Sequence, residues 1–290
     1  MTDTPAPKKP PRQMSDEHNS FHAEKRRARR DAKAGKVPGR DNRNKARFQH
    51  ARENTFDLLF YGLHTVRQAI LNPERAKHKL YATPNALKRL DLDNETLTGL
   101  TIEETYPRDL DKMVGSDAVH QGVVLHVSPI EPSPLSTLGD ARLVLALDQV
   151  TDPHNVGAIM RSAVALNADA VITTSRYSPV ESGVLAKSAS GALDLVCHIE
   201  VRNLADALGA LQNDGFTTIG FDSEGDTAFE ETPEQDKIAL VMGAEGKGLR
   251  QKTRETCALL KRLDMPGEIK SLNVSNAAML ALYIARSKLT

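Results

Sequence analysis

Four polar side chains, Ser271, Asn273, Ser275 and Asn276, crowd the mouth of "EIKSLNVSNAAMLALYIA" (268–285), which has no Asp, Glu, Lys or Arg from Ser271 to Ala285. A helix N-terminus needs one such side chain as its cap. Capping therefore accounts for Ser271 or Asn273, and the excess suits hydrogen bonds to a ligand or a neighbouring chain. In "DQVTDPHNVGAIMRSA" (148–163), Asp152 can cap a helix with Pro153 in its first turn, which leaves Asn155 and Arg161 to explain. On one continuous helix these two would diverge by about 120°, so Asn155 is expected in the turn leading into it. Arg161 interrupts an apolar run; facing inward, it needs either a bound anion or a structural ion-pair partner. In "GAEGKGL" (243–249), Gly243, Gly246 and Gly248 let the backbone turn sharply or approach a ligand, and Glu245 sits between them. The spacing is neither that of a P-loop nor GxGxxG, so this stretch alone is a turn with a carboxylate on it.

The elements that must carry these loops follow from hydrophobic patterning. From Arg142 onward, apolar runs alternate with amphipathic helices: strands at "RLVLALDQ", "ADAVITT", "DLVCHIE", "FTTIGFD", "KIALVM" and "CALLKRL". Helices are expected at about 156–167, 184–190, 204–212 and after Gly248. Continuous apolar strands separated by helices predict a parallel sheet covered on both faces. In such sheets ligands sit beyond the carboxyl ends of the strands, which is where the loops after Gln149, Met242 and Leu263 fall. The uncharged stretch after Ser271 predicts a helix buried on most sides. Upstream, apolar spacing in "LLFYGLHTVRQAIL" (58–71) predicts a helix. Strands at 78–83, 97–105 and 121–127, with helices at 84–90 and 107–113, complete a small α/β domain. The proline-rich "SPIEPSPLSTLGD" (128–140) breaks regular structure. The expected division is 1–55 extension, 56–128 small domain, 129–140 linker and 141–290 large domain.

The 290 residues balance 38 basic against 38 acidic side chains, yet residues 1–55 hold six Lys and nine Arg against seven Asp or Glu. That extension has eight excess positive charges and too few aliphatic residues to bury a core, so it reads as disordered and suited to phosphate contacts with nucleic acid. Its acidic residues do not suit a transit peptide, and it lacks the apolar core of a secretory signal. No apolar run approaches a membrane span, and two cysteines, Cys197 and Cys257, suit a reducing compartment without a disulfide framework. A cytoplasmic protein with no membrane partner and no metal site is expected.

Taken together and in this order, "NVGAIMRSA", "VMGAEGKGL" and "LDMPGEIKSLNVSNAA" resemble the three signature motifs of the SpoU (TrmH-like) family of RNA ribose 2′-O-methyltransferases. "FYGLHTVRQAIL" and "HQGVVLHV" resemble the ends of the small domain in the subgroup acting on a guanosine of 23S ribosomal RNA. The resemblance spans about 58–289. It implies a trefoil-knotted (SPOUT) catalytic domain, preceded by a substrate-binding domain of the ribosomal-protein L30e/L7Ae type. It also implies S-adenosylmethionine as cofactor and a homodimer formed through the knot. Carried over residue by residue, the catalytic positions are Arg161, Asn155, Glu245, Ser271 and Asn273, and Gly243, Leu263, Met265 and Leu272 fall at cofactor-binding positions. Where the family has Ile-Pro-Met, this chain has Leu263, Asp264 and Met265 with Pro266 displaced, which implies an altered loop shape with activity kept. The competing expectations are a transfer-RNA methyltransferase of the same family and a non-catalytic RNA-binding assembly factor.

Overall fold

The computed structural model describes residues 58–289 except Asp226; the basic extension and its expected disorder lie outside the described residues. A seven-stranded parallel sheet is built from β5 (Leu143–Asp148), β6 (Ala170–Thr174), β7 (His198–Val201), β8 (Thr217–Phe221), β9 (Thr227–Ala228), β10 (Ile238–Gly243) and β11 (Leu259–Arg262). Its order is β7-β6-β5-β10-β8-β11-β9. Every residue of β5 and β6 is buried, as continuous apolar runs require when both faces are covered.

Alternate residues serve different layers. Leu143, Leu145 and Leu147 of β5, with Ile238, Leu240 and Met242 of β10, pack under the helices α4 (Pro153–Ala165), α5 (Gly183–Ala189) and α8 (Val274–Arg286). Val144 and Ala146, with Ala239 and Val241, face α6 (Leu204–Asn213), whose Leu204, Leu208 and Leu211 share their cluster. A short helix α7 (Gln251–Thr256) follows the glycine-rich turn. The chain runs outward from β5 through β6 to β7, then returns to β8, so β10 enters between β5 and β8. Strand order therefore reverses at β5, the switch point where a crevice opens beyond the carboxyl ends.

A four-stranded sheet, order β1-β4-β2-β3, forms the small lobe from β1 (Leu58–Tyr61), β2 (Lys77–Ala82), β3 (Thr101–Glu104) and β4 (Val123–Val127). Helices α1 (Leu63–Leu71), α2 (Pro84–Arg89) and α3 (Pro107–Val114) accompany it. Thr83 caps α2 and Pro84 opens it, so local chemistry sets that helix. One apolar cluster runs without a break from Phe60, Val66 and Leu80 in the small lobe to Ile159, Leu185 and Leu240 in the large one.

Several expectations need correction. β1 precedes α1, and Gly62 turns the chain between them at φ 91°. β3 begins at Thr101, because 94–99 is taken up by turns. Within the linker, Leu135–Leu138 make a 3₁₀ turn and Ser133 donates to the His198 carbonyl at 2.8 Å. α4 begins at Pro153, so Asn155 lies inside the helix, in its first turn. α8 is open on one side: Met279 is 46% exposed and Tyr283 67%.

Candidate active site

β5, β10, β8 and β11 end side by side, and the segments that leave β10, β8 and β11 line a cavity of about 910 Å³. Its walls include seven of the residues singled out from the sequence: Gly243, Glu245, Leu263, Met265, Ser271, Leu272 and Asn273. Volume and lining fall within the range of sites that take a ligand of drug size.

The glycine-rich wall is a closed turn in which Ala244 and Gly248 exchange backbone hydrogen bonds at 3.1 and 2.9 Å. Gly246 and Gly248 have φ of 75° and 63°, which side-chain-bearing residues adopt only with strain. At Gly243 the limit is space, since a Cβ there would strike the backbone of Gly248 and Leu249. The turn holds Glu245 exposed at the cavity wall, with no hydrogen-bond or ion-pair partner among the described residues.

Its foot is anchored by Asp148, the last residue of β5, whose side chain is fully buried. One Asp148 oxygen accepts the Arg250 Nε–H at 2.6 Å, and the other accepts the Arg250 backbone N–H at 2.9 Å. Charge-assisted bonds to a buried carboxylate hold the start of α7 where the turn must end. Asp148 and Arg250 were missed in the sequence; the available signal was a carboxylate closing the apolar run "LVLALD". Burial, and secondarily the Asp148 charge, push the Cys257 thiol up to about 12, so at neutral pH it is inert packing.

The opposite wall, 263–273, ends in the α8 cap. Asn273 Oδ1 accepts from the Ser275 backbone N–H at 2.9 Å and its hydroxyl at 2.6 Å. Its Nδ2 donates to Asn155 Oδ1 at 2.9 Å. Capping and site formation are thus one feature, because the cap of α8 is tied to the first turn of α4. Lys270 donates to the Met265 carbonyl at 2.8 Å and Arg262 Nε to Asp264 at 2.8 Å, which pins the departure from the Ile-Pro-Met pattern. Ser271 makes no hydrogen bond within the described residues and is exposed. Phe221 at the end of β8, with Asp222 and Ser223 after it, completes the lining and was also missed.

Arg161 stands apart. It is not on the cavity wall; it lies exposed on α4, further along the same helix than Asn155, with no partner among the described residues. The structural ion pair allowed by the sequence is therefore not what holds it. Among the described residues no cluster of His, Cys, Asp and Glu could hold a metal ion.

The cavity's chemistry fits S-adenosylmethionine. Met242, Leu263, Leu272 and Val274 offer apolar surface for a purine. Asp222, Glu245 and Asp264 offer negative charge for a sulfonium and an ammonium, and Lys270 offers a cation for a carboxylate.

Comparison with known proteins agrees in both lobes. Residues 142–283 match the model of the SpoU rRNA Methylase family, and residues 59–133 match that of RNA 2′-O ribose methyltransferase substrate binding. A 23S rRNA (guanosine-2′-O-)-methyltransferase, RlmB, of Pseudomonas putida is 38% identical over 240 residues, 78% of this chain and 94% of its own length. The RlmB of Salmonella typhi is 36% identical over 78% of this chain and 97% of its own. Among solved structures, the Streptomyces viridochromogenes SpoU methyltransferase AviRb, in complex with the cofactor AdoMet, superposes with TM-score 0.68 at 23% identity, covering 83% of this chain and 97% of that one. The AdoMet-bound rRNA methyltransferase of Sinorhizobium meliloti gives 0.69 at 21%, over 83% and 91%. At those identities the likeness shows a common fold. The relatives' likeness over nearly their whole length reaches further: this chain belongs to the SpoU rRNA methylase family.

Proposed function

We propose that this protein transfers a methyl group from S-adenosylmethionine to the ribose 2′-hydroxyl of a guanosine in 23S ribosomal RNA. The observation that carries the reading is the single cavity onto which the glycine-rich turn and the 263–273 segment both open, with the Asn155–Asn273 bond joining its helices. When bound, S-adenosylmethionine supplies an electrophilic methyl on a positively charged sulfur. Gly243, Leu263, Met265 and Leu272 would hold it, and the likeness to RlmB relatives supports 23S rRNA as the acceptor.

The residues' task is set by the acceptor. A ribose hydroxyl is almost wholly protonated at neutral pH, so it must be oriented and its proton must be taken as the bond forms. Arg161 grips the phosphate next to the target ribose with its forked guanidinium. It acts as the organiser, and the hydroxyl proton passes to that phosphate. Ser271 and Asn273 orient the ribose, Asn155 keeps Asn273 aligned, and Glu245 orients the guanidinium.

Arg161 reaches the reacting atoms in a homodimer. Its exposure, its lack of partners, and the open Met279–Tyr283 face of the neighbouring α8 support an arrangement in which each site uses both copies. The C-terminal segment between β11 and α8 is read as threading a knot, and the small lobe as an L30e/L7Ae-type RNA-binding domain spanning 56–128 before the 141–290 catalytic domain. No helix among the described residues is long and apolar enough to cross a membrane.

Methyl-labelled S-adenosylmethionine and 23S rRNA from a strain lacking this gene provide the test. One labelled 2′-O-methylguanosine per molecule is expected; label confined to transfer RNA, or to a base, refutes the assignment.

A further inference from the structure

The small lobe is joined to the large one by a buried ionic cluster that shares no residue with the cavity lining. Arg75, between α1 and β2, is 1% exposed, although a lone buried arginine is very costly. Its Nη1 donates to Glu181 Oε1 at 2.6 Å and to the Ser128 carbonyl at 2.9 Å, and its Nε donates to Asp194 Oδ1. The guanidinium lies 4.6 Å over the Phe60 ring of β1. Glu181 in turn accepts the Ile130 backbone N–H at 3.1 Å, and Asn72 donates to Asp194 at 3.2 Å. Arg75 thus ties β1 and Ser128 to two points of the large lobe, and Glu181 adds the linker through Ile130.

These points bracket 181–194, the segment on which the small lobe rests. Gly183 lies against the Leu59 carbonyl and the Tyr61 ring, with no room for a Cβ, and Gly191 lies against His64 and Gln68. Lys187 donates to Gln121 at 3.1 Å, and burial lowers its pKa, as burial raises that of Glu181. The same segment packs on α4: Gly157 meets the Leu185 carbonyl and Ser188, and His154 is 3.0 Å from the Ser188 hydroxyl. The small lobe is therefore connected, through α5, to the helix that carries Asn155 and Arg161.

Apolar contact alone already joins the lobes, and well-packed hydrophobic residues are commonly as stabilising as a buried ion pair. What a forked guanidinium adds is direction, since its bonds to Glu181, Asp194 and Ser128 hold in one relative orientation. We propose that Arg75, through Glu181 and Asp194, is a positioning residue that sets the reach from RNA held on the small lobe to the methyl-transfer cavity. This rests on the methyltransferase reading.

Arg75→Lys keeps the charge but cannot span both carboxylates; the neutral triple variant Arg75→Met, Glu181→Gln, Asp194→Asn guards against misfolding from unpaired charge. In the full-length protein, hydrogen exchange should quicken at the Ile130 and Ser133 amides while β4 and β5 stay protected. S-adenosylmethionine affinity and the KM for 23S rRNA should hold within about twofold, while kcat falls at least ~10-fold, as misplacement of a reacting group predicts. Turnover per cofactor-binding site equal to wild type in both variants, or a rise in KM with kcat unchanged, overturns the proposal. So does unchanged exchange at the linker in both variants. If the wild-type protein itself methylates no RNA, the functional reading fails and takes this one with it; if wild type is active and both variants match it, only the positioning role fails.

Discussion

Arg161→Ala is expected to lower methyl transfer to RNA by roughly 10²–10⁴-fold, the range lost when a group that orients a proton transfer or stabilises developing charge is removed. The same variant should fold normally. Arg161 is exposed and has no partner among the described residues, so truncation at such a surface position changes stability by no more than about 0.5 kcal/mol. Cofactor affinity should also be spared, because Arg161 is off the cavity wall. Arg161→Lys should recover only part of the rate, since an ammonium cannot grip phosphate and carboxylate together. Calorimetric S-adenosylmethionine binding alongside single-turnover transfer checks all of this; wild-type turnover by Arg161→Ala would remove the residue from the mechanism.

The second large effect is expected at Gly243, by the opposite route. Gly243→Ala drives a Cβ into the backbone of Gly248 and Leu249, and backbone gives way less readily than a flexible side chain. The turn must open, displacing Glu245 and the cofactor wall together. S-adenosylmethionine affinity should drop ~10-fold or more, with a stability loss of about 1–3 kcal/mol, the usual cost of overpacking. Gly246→Ala is the informative contrast. Open space surrounds that position, so only its φ of 75° opposes the methyl, and a smaller loss in binding is expected. Equal, wild-type affinity in both variants would show that the turn does not form the cofactor wall.

The two residues differ in how visible they were beforehand. β5 and β10 were legible because burial on both faces leaves unbroken apolar runs, and Gly243 and Glu245 because three glycines at a strand end are unusual. The polar mouth of α8 was legible as an excess over capping, though Asn273 turns out both to cap and to bond Asn155. The Asp148–Arg250 clamp was not, because its partners lie 102 positions apart and nothing local pairs them. Arg75 was hidden for the same reason: "NPERAKH" reads as a polar turn, and its partners lie 106 and 119 residues away. β1 was absorbed into the helix pattern that follows it, since four residues are too few to establish alternation before Gly62. The exposure of Met279 and Tyr283 was invisible because a helix apolar all round gives no sign of which side is left open.

The proposed site has a cofactor wall supplied by one chain and an arginine supplied by its partner, since Arg161 is absent from its own chain's cavity lining. A crystal structure of the assembled protein with S-adenosylmethionine and a guanosine nucleotide tests it most directly. The sulfonium is expected between the 243–248 turn and the 263–273 segment, with an Arg161 guanidinium on the nucleotide's phosphate. S-adenosylmethionine bound elsewhere, or Arg161 of every copy remote from the nucleotide, would contradict it.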